Sequence, residues 1–214
     1  MSAAAGRFLT IEGIEGVGKT TQVARLSGTL RGRGIEHVVT REPGGTPLAE
    51  KIRGIVLDNA GEPVPAMAEL LLMFAGRAVH LANHVEPNLR AGRWVLCDRF
   101  TDATYAYQGG GRRLSLEVIR QLEAMVQGGR RPDLTLWLDA PVEQARHRAL
   151  ERNSGAVSDR FESERTEFFE RVREVYRARA EAEPDRIHII DAAQSADAVA
   201  AQVLKVLEKR SWIS

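Results

Sequence analysis

The stretch Gly13-Ile14-Glu15-Gly16-Val17-Gly18-Lys19-Thr20 limits the possible folds of this chain more than any other, because it completes the pattern G-x-x-x-x-G-K-[ST]. The apolar run Phe8-Leu9-Thr10-Ile11 before it reads as a strand. Thr21-Gln22-Val23-Ala24-Arg25-Leu26 after it reads as a helix. A glycine-rich turn in that position gathers backbone N–H groups and a helix N-terminus around phosphate oxygens. Lys19 is then placed to reach the β- and γ-phosphates of a nucleoside triphosphate, and the Thr20 hydroxyl to ligate Mg2+.

Four more apolar segments, at 36–40, 94–98, 134–139 and 187–191, are short enough to be strands. Helical spacing fills the intervals, as in Val23, Leu26 and Leu30, in Phe161, Phe168, Val172 and Tyr176, and in Val199, Val203 and Leu207. Alternation of the two predicts an α/β three-layer sandwich, a five-stranded parallel sheet flanked by helices. The 214 residues, 43% of them hydrophobic, suit a single domain with a full core. Ligands of such sheets sit at the carboxyl ends of the strands. Four of the five strands end there in an acid: Glu12, Asp98, Asp139 and Asp191. For Asp139 and Asp191 the expected role is a turn or a helix cap.

Composition excludes several function classes. A net charge of +1 gives no global reason to expect nucleic-acid binding. No apolar run approaches the roughly 20 residues that a membrane span needs, and residues 1–6 lack the apolar core of a signal peptide. The one cysteine, Cys97, lies in an apolar run and reads as a small core residue. A cytoplasmic protein without membrane partners is expected.

A phosphate loop alone does not separate a kinase from a switch or a motor. A guanine-reading N-K-x-D sequence is absent. Asp58-Asn59-Ala60-Gly61 matches D-x-x-G, but it follows no strand and reads as a turn. The chain instead carries a second anion-reading inventory: Arg41-Glu42-Pro43-Gly44-Gly45-Thr46, Asp98-Arg99-Phe100, and Tyr105-Ala106-Tyr107-Gln108-Gly109-Gly110-Gly111-Arg112. These place arginines and hydrogen-bonding side chains at strand ends facing the phosphate loop, as a phosphorylated acceptor requires.

In this order, together with Arg131-Pro132-Asp133-Leu134-Thr135-Leu136 and Asp159-Arg160-Phe161-Glu162, these segments resemble bacterial thymidylate kinases over roughly residues 6 to 205. The resemblance implies transfer of the γ-phosphoryl of ATP to dTMP, giving dTDP for DNA precursor synthesis, with Mg2+ as the metal. It makes Gly13, Ile14, Glu15, Gly16, Val17, Gly18, Lys19, Thr20 and Thr21 the ATP-binding set. Thr20 and Asp98 become the metal-associated pair.

For dTMP the resemblance implies Glu15, Pro43, Arg53, Met73, Phe74, Arg77, Arg99, Thr104, Tyr107 and Gln108. Glu15 either turns to solvent or faces the deoxyribose 3′-hydroxyl; the family pattern favours the second. Arg99 would hold the acceptor phosphate, Arg53 would either join it there or stand at a solvated helix position, and Asp98 would either join the Mg2+ water shell or hold Arg99 in place. Arg77 matches the arginine on the thymine edge, Thr104 the small polar residue facing the ring, and Tyr107 the ring packed on the sugar. Gln108 would form a polar wall and Pro43 would pack near the base. The family's stacking phenylalanine falls at Met73, with Phe74 one later, so the stacking partner stays open between them. Another acceptor, a different nucleoside monophosphate or a deoxynucleoside, stays open at the same position.

Residues 146–160 match a lid over ATP, with Arg152 and Arg160 as the candidate catalytic arginines beside Lys19 and Arg99, and Arg148 third. Arginines 171 to 179 have glutamates at helical spacing and read as a solvated, paired face. His80 and His84 stand four apart without a further His or Cys at suitable spacing, so they read as a helix surface or subunit contact. The family is usually homodimeric, and the helix over 66–88 is the candidate contact.

Overall fold

A computed structural model of the protein describes residues 6–58, 62–152, 160, 161 and 163–213, the side chain of Arg152 excepted. Its sheet has strands β1 (Phe8–Glu12), β2 (His37–Arg41), β3 (Trp94–Asp98), β4 (Leu134–Asp139) and β5 (Ile187–Asp191). All are parallel, in the order β2-β3-β1-β4-β5. Four strands have the bounds expected from the sequence, and β2 begins one residue later than expected.

Between β1 and β3 come α1 (Lys19–Gly32), α2 (Pro47–Leu57), α3 (Ala66–His80), a π-helical turn (Leu81–Val85) and α4 (Glu86–Arg90). After β3 follow α5 (Thr101–Thr104), a second π-helical turn (Tyr105–Gly111) and α6 (Leu116–Gln127). Helices α7 (Val142–Arg152) and α8 (Thr166–Ala182) precede β5, and α9 (Ala196–Lys209) follows it.

Successive strand side chains point to opposite faces, so one strand supplies two cores. Leu9, Ile11 and Leu96 share a buried cluster with Val23, Leu26 and Leu30 of α1 and Val199, Val203 and Leu207 of α9. Phe8, Val95 and Cys97 point the other way and join Leu81, Val85 and Phe100. Helices therefore cover both faces, and the apolar spacing read for α1 and α9 is the spacing that is buried.

Arg171, Arg173 and Arg179 of α8 depart from the paired, solvated face expected of them, while Arg177 stays exposed. Arg173 donates to Asp139 at 2.6 and 3.0 Å, and Arg179 donates to Asp102 at 2.6 Å. Arg171 donates to the carbonyls of Gly110 and Gly111. They reach past their own helix because α8 lies against the second π turn: a Cβ on Gly111 would stand 2.4 Å from the Phe168 ring. Asp139 is thus an ion-pair partner rather than a cap, whereas Asp191 keeps its turn role, accepting from the backbone of Ala193.

Candidate active site

The glycine turn after β1 adopts the conformations that its composition permits. Gly13, Gly16 and Gly18 have φ of 134°, 81° and 92°, values that side chains disfavour. Gly18 caps α1 without any side-chain hydrogen bond, and the first turn of α1 contains no acid. The first N–H groups of α1 thus meet neither a capping side chain nor a repelling carboxylate, which suits them to an anion. Lys19 is buried and donates to the Ile14 carbonyl at 2.8 Å. Burial lowers its pKa to about 8, with Arg99 adding to the effect and Asp98, Glu15 and Glu12 opposing it.

Arg99 leaves β3 in the left-handed region, φ 69°, and this turns its guanidinium back over the glycine loop. It donates to the Gly13 carbonyl at 2.8 Å and to Glu15 at 2.5 Å, and it lies 4.8 Å from the centre of the Tyr107 ring. The Tyr107 hydroxyl donates to both Glu15 oxygens at 2.8 and 3.0 Å. Burial opposes the charge on Glu15, but Arg99 and Lys19 outweigh it and hold the carboxyl below its ordinary value. Glu15 therefore does not turn freely to solvent; it closes one side of a cavity.

That cavity is lined by Glu15, Pro43, Arg53, Met73, Arg99, Tyr107 and Gln108, with Glu42, Leu57, Ala103 and Phe161 completing it. Seven of the ten expected acceptor residues thus share one enclosure. Of the pair left open, Met73 faces the cavity, while Phe74 packs in a separate cluster with Leu70, Tyr105 and Ile119. Helical geometry separates neighbours by about 100°, which is why one of two adjacent apolar residues faces each way.

Arg77 and Thr104 stand behind the wall. Arg77 is 1% exposed, donates to Glu42 at 2.8 Å and to Thr104 Oγ1 at 2.9 Å, and lies between the rings of Phe74 and Phe100. Its Nη1 is buried with no partner among the described residues. Glu42 spends its other oxygen on His80 Nδ1 at 2.8 Å, and His80 Nε2 meets Thr40 Oγ1 at 2.8 Å. His80 is therefore no helix surface or subunit contact. It is fully buried and braces Glu42.

Gln108 is held from behind as well. Its Nε2 donates 2.7 Å to Glu69, while its Oε1 is buried without a partner among the described residues. Glu69 is itself fully buried and accepts from Arg112 and Arg160. Arg160 also donates to the carbonyls of Val56 and Val64, so its guanidinium is bound on the acceptor side of the molecule. Arg148 donates to the carbonyls of Ala192 and Ala193 after β5. Arg152 ends α7; its side chain, and residues 153–159 of the expected lid, lie outside the described residues.

Sequence reasoning missed Glu42, Glu69 and Phe161 as parts of this site. A lone acid in the apolar run from Ala66 to Phe74 was the available signal for Glu69. Beneath the glycine loop, Glu12 accepts from the Phe100 backbone at 2.7 Å and from the Tyr176 hydroxyl at 2.8 Å. Burial and the nearby Asp102 raise its pKa to about 7.

The arrangement sets a glycine turn suited to anions beside a cavity lined by Arg53 and Arg99, with one unpaired polar atom on its lining residue Gln108 and another on Arg77 behind the wall. Comparisons with known proteins agree with that chemistry. The thymidylate kinase family model matches residues 11–203. Thymidylate kinase of Teredinibacter turnerae is 56% identical over 203 residues, covering 95% of this chain and 98% of that protein. Thymidylate kinase of Chromohalobacter salexigens is 57% identical over 210 residues, covering 97% and 98%. The crystal structure of thymidylate kinase from Ehrlichia chaffeensis superposes with a TM-score of 0.78 at 32% identity, covering 95% of this chain and 99% of that one.

Proposed function

The chain belongs to the thymidylate kinase family, ATP-dependent phosphotransferases acting on dTMP, and we propose that the cavity beside the glycine loop is where it binds dTMP for that transfer. The observation that carries this reading is the pair of buried atoms without partners, a donor at Arg77 Nη1 and an acceptor at Gln108 Oε1. Thymine presents a carbonyl next to a ring N–H and complements both. Cytosine reverses the pattern and would leave both unpaired, the arrangement that discriminates most strongly.

ATP would lay its phosphates on the backbone of Gly13 to Thr21, with Lys19 exchanging the Ile14 carbonyl for a phosphate oxygen. Arg99 and Arg53 would take the acceptor phosphate at the cavity mouth. Arg99 would give up Glu15 in doing so, and Glu15 would turn to the deoxyribose 3′-hydroxyl while Tyr107 packs on the sugar. The acceptor phosphate is itself the nucleophile and is largely ionised at neutral pH, so the residues need supply no general base. Their work is alignment and charge neutralisation in a transition state that spreads charge over three oxygens.

The metal-associated residues fit a divalent cation. Asp98 Oδ1 is buried without a partner among the described residues, and Thr20 is exposed at the start of α1. One hydroxyl and one carboxylate, completed by phosphate and water oxygens, suit Mg2+, which would neutralise charge on the phosphates. Arg152 and Arg160 remain the proposed lid arginines, Arg160 after release from Glu69.

The chain would work as one kinase domain in the cytoplasm and as a homodimer. Leu48 and Ile55 of α2 with Met67 and Leu71 of α3 are exposed by 42% to 55%, the apolar surface that a second copy would cover. No helix among the described residues is long and apolar enough to cross a membrane.

The test is ADP release from Mg·ATP with dTMP, dUMP, dCMP, GMP and thymidine offered separately. Turnover should be strongest with dTMP and near zero without an acceptor. Preference for another acceptor would keep the phosphotransfer and overturn the base-site reading, with Met73 the first residue to revisit.

A further inference from the structure

Gln108 is an ambiguous reader of bases. Its amide has an acceptor and a donor end of nearly the same shape, so a half-turn about its last bond would present N–H instead of C=O. Selectivity at this position requires something that forbids the half-turn. Glu69 meets that requirement. It is fully buried on α3, and its Oε1 lies 2.7 Å from Gln108 Nε2.

A carboxylate has lone pairs and no proton to offer, so it can only receive the NH2 end of the amide. Arg112 donates to both oxygens of the same carboxylate and Arg160 to Oε2, and together they reinforce it as an acceptor. The half-turned Gln108 would bring its carbonyl against that carboxylate in a buried site, two acceptors with no hydrogen between them. The penalty of such an unpaired buried contact is severe.

We infer that Glu69 is a specificity-determining positioning residue: by holding Gln108 Nε2 it keeps Oε1 facing the cavity and so selects a base edge that carries an N–H. The inference rests on the acceptor reading proposed above and deepens it. Glu69 touches neither substrate nor reacting atoms, and it acts only through the orientation of Gln108.

Glu69→Gln tests this directly, because the new amide can donate as well as accept and so tolerates either orientation of Gln108. The quantity to measure is the ratio of kcat/KM for dTMP to kcat/KM for dCMP, which does not depend on the folded fraction. The ratio should fall at least tenfold, with the change carried by the KM values. Arg112→Gln serves as the control: it removes an ion pair from Glu69 and leaves the Gln108 contact, so the ratio should stay at the wild-type value. A Glu69→Gln protein that keeps the wild-type ratio overturns the inference while the acceptor reading stands. An Arg112→Gln protein that loses the ratio as fully overturns it too, since the effect would then come from the ion pairs. Wild-type protein with no preference for dTMP over dCMP overturns the acceptor reading itself.

Should Glu69→Gln fail to fold, the wild-type protein still decides. The Gln108 amide proton bonded to Glu69, followed by 15N NMR, should stay protected from exchange when dTMP is added, since it remains on Glu69. Loss of that protection on dTMP binding refutes the fixed orientation.

Discussion

Arg99 and Glu15 meet at 2.5 Å across the cavity mouth, so the cation suited to an incoming phosphate is already bound by a carboxylate of the phosphate loop itself. Both side chains are mostly shielded, which strengthens the pair and keeps it aligned. An acceptor phosphate must therefore compete with Glu15. It brings more charge and a bidentate edge to that competition.

Replacing Arg99 tests this competition. Arg99→Ala should lower kcat/KM for dTMP by about a hundredfold or more, the typical cost of losing one charge-stabilising group. Arg99→Lys should recover only part, because one ammonium cannot hold the Gly13 carbonyl and a phosphate edge together. Steady-state kinetics with dTMP varied at saturating ATP decide it; full recovery in the lysine variant would refute the fork geometry.

Glu42 anchors Arg77 and His80 in a pocket where all three are buried. Glu42→Ala strands a buried guanidinium and should destabilise the protein by roughly 3 kcal/mol, as read from urea unfolding. The surviving folded enzyme should show a raised KM for dTMP and an unchanged KM for ATP. A change confined to ATP would mean that Arg77 does not address the acceptor.

Arg152 and Arg160 should separate by role. Substituting each singly with alanine should lower kcat more than it raises either KM in at least one of them. If neither does, no lid arginine acts on the transferring phosphoryl group. Arg160→Ala should also loosen the region around Glu69, visible as faster amide exchange near Val56 and Val64.

Lys19 makes ATP binding depend on pH. Its pKa of about 8 in the free protein arises chiefly from burial, so the amine loses its proton as the pH rises through 8. Phosphate oxygens favour the charged form, and binding then takes up a proton. At pH 8 calorimetry in two buffers of different ionisation enthalpy should report uptake of about half a proton from this group, and affinity for ATP should fall above that pH. Absence of uptake at pH 8 contradicts the shift.

Glu12 acts on stability in the direction opposite to that of a salt-bridged acid. Its folded pKa of about 7 lies above the ordinary 4.5, so the folded state holds the extra proton between those values. Its contribution is favourable at low pH and is lost as the pH rises through 7. Glu12→Gln keeps an acceptor for the Phe100 N–H and removes the titration, with the Tyr176 hydroxyl turning from donor to acceptor of the new amide. Its melting temperature should therefore gain on wild type from pH 5 to about pH 7 and level off above that; a constant difference argues against the shift.

The layout of this fold was legible because its signals are local. Alternating apolar runs and helical spacing gave the five strands to within a residue, and the glycine turn placed the phosphate loop. Arg99 and Tyr107 belong to motifs that keep their order along the chain, whereas sequence left Met73 and Phe74 open and the turn of α3 puts Met73 on the cavity. The braces behind the site were not. Glu69 touches Arg160 across 91 positions, and Glu42 touches Arg77 across 35. A buried carboxylate is unfavourable until its partners are known, and no local pattern names partners that distant. The same reason hid the inward arginines of α8, which had nearer glutamates available and joined other elements instead.

Gly16 leaves room for nothing between the phosphate loop and α7: a Cβ there would stand 1.9 Å from the Ala145 carbonyl. Main chain rests on main chain, with no side chain to act as a cushion. Helix α7 is also the stem from which residues 153–159 continue. Any side chain at position 16 would therefore have to part the phosphate loop from α7, because no flexible atom stands between them to give way.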